Sequence, residues 1–149
     1  MVIQEIFKNE VLMSCLAAFI LCQFLKFILS WKRTKRPEPG KLIDTGGMPS
    51  SHSGAVSALT MSVFFAEGIT TVFAITLVLS LIVIRDAYGL RKEVGEQAKT
   101  INRIAFDLKQ LKNIHIPKLR ELVGHTSTQV TVGILLGISV AVITHMVML

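Results

Sequence analysis

Little in this chain points to a cross-linked, metal-bearing or nucleic-acid-binding protein. Its 149 residues include two cysteines, Cys15 and Cys22, seven apart in one apolar run. On a helix that separation is about 10 Å, too far for a disulfide, so both read as small packing residues. Carboxylates form no cluster, and the four histidines lack paired ligand spacing on any one element. That argues against a resident metal, and no cofactor is expected. Basic residues are not interleaved with aromatics, which argues against nucleic acid as a partner. There is no internal repeat and no low-complexity tract. The first apolar run is too long for a cleavable signal peptide and lacks its basic start and small-residue cleavage site.

What is present is apolar and comes in blocks. Hydrophobic residues make up 51% of the chain and mean hydropathy is +0.58, too apolar for an ordinary soluble domain. Four runs read as membrane-spanning helices: about 11–31 (interrupted by Lys26), 53–66, 70–84 and 127–149. The second and third are short for a bilayer needing roughly 20 residues, so their helices are expected to extend into the interface. After the third run, Val94, Ala98, Ile101, Ala105, Leu108 and Leu111 recur at steps of three and four. They predict an amphipathic helix over about 90–112, lying on the membrane or against a partner helix, and broken at Asn113 to Pro117. The fold expected is therefore all-α: a single integral membrane domain, 1–149, with four spans and one long amphipathic helix.

Net charge is +6, and its location matters more than its sum. Lys32, Arg33, Lys35, Arg36 and Lys41 follow the first run. Arg91, Lys92, Lys99, Arg103, Lys109, Lys112, Lys118 and Arg120 follow the third. The positive-inside rule places both segments in the cytoplasm and both termini outside. Most of these charges need do no more than set topology and meet anionic headgroups.

With that topology, the unusual polar groups converge on the cytoplasmic face although they are scattered along the chain. The stretch Gly46-Gly47-Met48-Pro49-Ser50-Ser51-His52-Ser53 enters the second span there. Pro49 suits the first turn of a helix, and the serines can cap it. Two glycines let backbone approach a ligand, and a helix start is a ready phosphate site. His52 has a pKa suited to proton transfer near neutrality, although a capped helix with an interfacial histidine would read the same way. On the last span His125, Gln129, Gly133, Gly137 and Ala141 follow at four-residue steps. The Gly133-x-x-x-Gly137 pair turns that stripe toward other helices and turns His125 inward, with Gln129 one turn along to hold its ring. A histidine held by a second group is the pattern of an activated nucleophile. His115 and His145 fall outside it, as loop and outer-end residues.

"GGMPSSHS", "RDAYGLRKEVGEQA" and "GHTSTQV" together resemble the divergent type 2 phosphatidic acid phosphatase family, related to acid phosphatases and vanadium haloperoxidases. The resemblance runs from about Val11 to Ile143. Lys26 to Arg33 is similar to the superfamily's K-x6-RP, with Thr34 in place of proline. Pro49-Ser50-Ser51-His52 is similar to PSGH, with serine for glycine. Of SR-x5-H-x3-D, His125 matches the histidine and Gln129 stands for the aspartate. The resemblance implies phosphate-binding roles for Lys26, Arg33 and Ser51, with Ser50 and Gly47 beside them. It also implies leaving-group protonation by His52 and a phosphohistidine at His125. Arg91 is the expected substitute for the missing Ser-Arg pair, with Asp86 and Gln97 to hold its geometry.

The function expected is a membrane-embedded phosphatase acting on a phosphomonoester lipid, phosphatidic acid- or phosphatidylglycerophosphate-like, in a bacterial cell membrane. Alternatives are a phosphate-lipid binder or carrier without turnover, favoured by neutral Gln129, and a structural protein recruiting partners through its amphipathic helix. The superfamily core uses six helices, so four spans per chain make a homodimer a natural expectation.

Overall fold

The computed structural model describes residues 7–36, 47–112, 117–119 and 124–149. Lys41, Gly46, Asn113, His115 and Arg120 lie outside them, as do the side chains of Arg91, Lys109, Leu111 and Lys112. The described residues form helices and no strand: α1 (Glu10–Thr34), α2 (Ser51–Glu67), α3 (Thr71–Tyr88), α4 (Leu90–Lys112) and α5 (Ser127–Met148). Each apolar run is a helix, and the two short runs are extended at their polar ends. Among the described residues three helical stretches are long and apolar enough to cross a membrane: Glu10–Thr34, Thr71–Leu108 and Ser127–Met148. The 17 residues of α2 reach about 26 Å, just short of a hydrocarbon core of about 30 Å.

Helix ends follow local chemistry. Asn9 caps α1 by accepting from Leu12 N at 2.9 Å, and Thr70 caps α3 by accepting from Phe73 N at 3.3 Å. At the far end of α3 the chain turns at Gly89, where a Cβ would lie 2.9 Å from Arg85 O. A side chain there would press on backbone, so the α3–α4 bend depends on glycine.

Helix α2 is the centre, with α1, α3 and α5 packed around it, while α1 and α3 share no contact among the described residues. Small residues allow this. A Cβ on Gly54 would lie 2.7 Å from Cys22 Sγ, and one on Gly137 would run into the carbonyl oxygen of Gly54. The helices α1, α2 and α5 thus meet nearly backbone to backbone, as small-residue motifs permit where lipid removes any hydrophobic drive for association. The buried positions recur at four-residue steps: Lys26, Cys22, Ala18 and Ser14 on α1; Ser50, Gly54, Ala58 and Ser62 along α2; Gly133, Gly137 and Ala141 on α5. Ala18, Ala58 and Ala141 form the fully buried middle.

The attachment of α3 differs. Thr60 Oγ1 lies 2.6 Å from Ser80 Oγ and 3.2 Å from Thr76 O, and Ser80 Oγ donates to Val56 O at 2.9 Å. Polar zippers of this kind are worth roughly 0.6–1.7 kcal/mol per bond in a membrane. The outer face of α3 is apolar and exposed, as at Ile75, Val78, Leu81 and Ile82.

The amphipathic stripe expected on α4 divides in two. Gly95 and Ala98 are buried, and Asn102 clasps the backbone of Leu119 through two bonds of 2.9 and 2.8 Å. Val94, Ile101 and Leu108 remain exposed. On the polar face Lys99 Nζ donates to Glu96 at 2.7 Å, and that hydrogen bond and its charge hold the Glu96 carboxyl below the usual range.

Candidate functional site

The site lies where α2 and α5 begin and α1 and α3 end. Pro49, which follows a cis peptide bond, is fully buried, and Ser50 is the N-cap of α2. The helix therefore starts after the proline, not with Pro49 in its first turn as the sequence suggested. The local reason is the Ser50 hydroxyl, which accepts from Ser53 N at 3.4 Å and from Ser53 Oγ at 3.0 Å. Ser50, Ser51 and Ser53 are all buried, and His52 is half-buried.

Gly133 fixes how closely α5 approaches this start. A Cβ there would lie 2.5 Å from Ser50 O and 3.2 Å from Ser53 Cβ. Close approach allows a backbone bond between the two helices, Ser50 N to Gln129 O at 3.0 Å. Gly47 is the other glycine that matters. Its φ of +100° is left-handed, and a Cβ on it would sit 3.4 Å from the Lys26 side chain. Gly47 therefore lies against the stem of Lys26, which is 3% exposed. A buried lysine so near a membrane-spanning core is costly unless its charge is used, so its place is a functional signal.

His125 is held from three sides. Its backbone N–H donates to Ala87 O at the end of α3 (3.1 Å), its side chain is buried, and Nδ1 lies 3.1 Å from Gln129 Oε1. That same Oε1 accepts from Thr126 N at 3.1 Å, while Thr126 Oγ1 accepts from Gln129 N. The pair is a capping box at the start of α5. The box settles the chemistry of the ring. A backbone N–H can only donate, so the amide atom it meets is the oxygen, and an oxygen facing Nδ1 requires Nδ1–H. The neutral imidazole therefore keeps its lone pair on Nε2. The spacing Thr126-x-x-Gln129 carried this signal in the sequence, whereas the bond from His125 to Ala87 had none.

The structure brings together Lys26, Gly47, Ser50, Ser51, His125 and Gln129 by backbone placement. His52 lies on the α2 series that continues through Val56 and Thr60, the residues bonded to α3. Asp86 is half-buried and precedes the Ala87 carbonyl that receives His125. Arg33 is exposed in the last turn of α1, about 10 Å along the helix from Lys26. Gln97 is exposed on α4, two turns beyond the Gly89 bend. Among the described residues no group of three or more His, Cys, Asp or Glu side chains could hold a metal ion.

Residues 7–140 match the Divergent PAP2 family. The chain is also 36% identical over 146 residues to the uncharacterized membrane protein YuiD of Bacillus subtilis (strain 168), covering 90% of this chain and 92% of that protein. No solved structure matches it significantly.

Proposed function

The chain belongs to the divergent PAP2 family of membrane proteins, and from that premise we propose that it is a lipid phosphate phosphatase working through His125. The observation that carries this reading is the contact of His125 Nδ1 with Gln129 Oε1, an oxygen that also accepts from Thr126 N, so that Nδ1 is the donor nitrogen and Nε2 takes the nucleophile's role. In the reaction, Nε2 attacks the phosphorus of a phosphomonoester lipid, phosphatidic acid- or phosphatidylglycerophosphate-like. A P–N bond forms as the P–O bond to the lipid breaks, and His52 gives its proton to the leaving oxygen. Water, deprotonated by His52, then hydrolyses the phosphohistidine to release inorganic phosphate and restore both rings. Lys26, Ser50, Ser51 and the N–H groups opening α2 neutralise the phosphoryl oxygens. Arg33 and Arg91 are the further cations we assign to the phosphate, with Asp86 and Gln97 as supports for Arg91.

We place α2 as a fourth crossing between α1 and α3, in a bacterial cell membrane. The basic segments then face the cytoplasm, and so does the site. The test is phosphate release by purified protein from a panel of phospholipid monoesters in EDTA, with His125→Ala alongside. Release from one lipid that disappears in the variant supports the reading.

One observation favours a second reading. Gln129 is neutral, so its bond to Nδ1 brings no negative charge to balance a cationic His125. A protein that binds the lipid phosphate without turning it over would show no release from any lipid while retaining binding.

A further inference from the structure

A second polar site lies at the opposite end of the three-helix core. There His145 Nδ1, near the end of α5, meets Glu10 Oε1 of α1 at 2.9 Å. The His145 ring stacks on Phe65 of α2, with centroids 4.6 Å apart and planes 11° from parallel. One four-residue step inward are Ser14 of α1 and Ser62 of α2, both 0% exposed. A step further in is the alanine cluster of Ala18, Ala58 and Ala141. Because α1 and α2 pair Cys22 with Gly54 and Ala18 with Ala58, the same register sets Ser14 opposite Ser62.

Neither hydroxyl has a hydrogen-bond partner among the described residues. That is unusual here, since Thr34, Thr60, Thr131 and Ser139 each donate to the carbonyl four residues back on their own helix. Ser14 and Ser62 do not, and both are fully buried on the stripe where α1 packs against α2. An unsatisfied hydroxyl costs roughly 1–3 kcal/mol, and hydrocarbon offers no bulk water to relieve it.

We propose that Ser14 and Ser62 hold one water molecule between them, beneath the Glu10–His145 pair and above the alanine floor. A buried water needs two to four polar partners. The two hydroxyls supply the first two, and the carboxylate and imidazole of the pair lie one step away. This site is independent of the phosphatase reading and of the residues that carry it.

Thermal unfolding of the full chain in detergent tests the site with Ser14→Ala, Ser62→Ala and the double variant. A shared water predicts that each single change lowers the midpoint by roughly 2–8 °C, because it strands the other hydroxyl. The double variant then loses clearly less than the sum. Single variants that unfold at or above the wild-type midpoint would overturn the proposal, as would losses that simply add. A water-to-amide nuclear Overhauser effect at Ser14 and Ser62 is expected in the wild type, and its absence would overturn the proposal without relying on any variant.

Discussion

At the His125 end of the core, positions are set by backbone. Ser50 N bonds to Gln129 O, His125 N bonds to Ala87 O, and Gly133 lets α5 lie against the carbonyl of Ser50. At the His145 end the helices are joined by side chains instead, through the Glu10–His145 contact and the Phe65 stack. There Glu10 and His145 keep 19% and 26% of their side chains exposed, whereas Lys26 and His125 keep 3% and 2% of theirs as residues. A side-chain bridge can be deleted without moving a helix, but a backbone contact cannot. The two ends should therefore differ sharply in how they tolerate substitution.

The largest contrast should come from the two histidines of α5. We expect His125→Ala to lower phosphate release at least ~10³-fold, the scale on which loss of a nucleophile is felt, while His145→Ala stays within about twofold. Equal losses in the kinetic assay would erase the distinction between the ends. Next is Gly137→Leu, which drives a side chain into the Gly54 backbone. Overpacking of that kind costs about 3 kcal/mol or more, and it should lower both the unfolding midpoint and lipid binding. A variant that keeps both would show that the helices are not locked by contact.

Smaller and of opposite sign is Gln129→Glu. Glutamate preserves the capping box and adds a charge beside Nδ1. A negative charge beside Nδ1 favours the charged ring, and a factor of about ten is the scale expected for such a neighbour. Single-turnover rates should rise by up to that factor, and an unchanged rate would mean the missing charge is not limiting. The smallest effect belongs to Thr60→Val, which removes the polar zipper to α3. It should cost about 1 kcal/mol of stability and leave turnover per folded molecule unchanged.

Much of this architecture was readable in advance because apolar block length and turn chemistry are local. The four runs, the amphipathic segment and the inward stripe from His125 to Ala141 needed only periodicity. Three features needed more. Pro49 lies before the N-cap and not in the first turn, since a proline and a serine both suit a helix start and only the Ser50–Ser53 bonds choose between them. The α4 stripe divides because Gly95 and Ala98 are buried and Asn102 is bonded to the backbone of Leu119, while Ile101 stays exposed. Ser14 and Ser62 look like ordinary small residues until the register sets them opposite each other.

The all-helical class, the apolar helices of spanning length and the family were legible in the sequence, since these rest on composition, period and motif. Tertiary structure alone decided that Lys26 lies under Gly47 and that His125 is fastened to Ala87. Those facts depend on how closely helices distant in sequence approach. That distance is set by glycines meeting across an interface, where the partner carbonyl leaves no room for a Cβ.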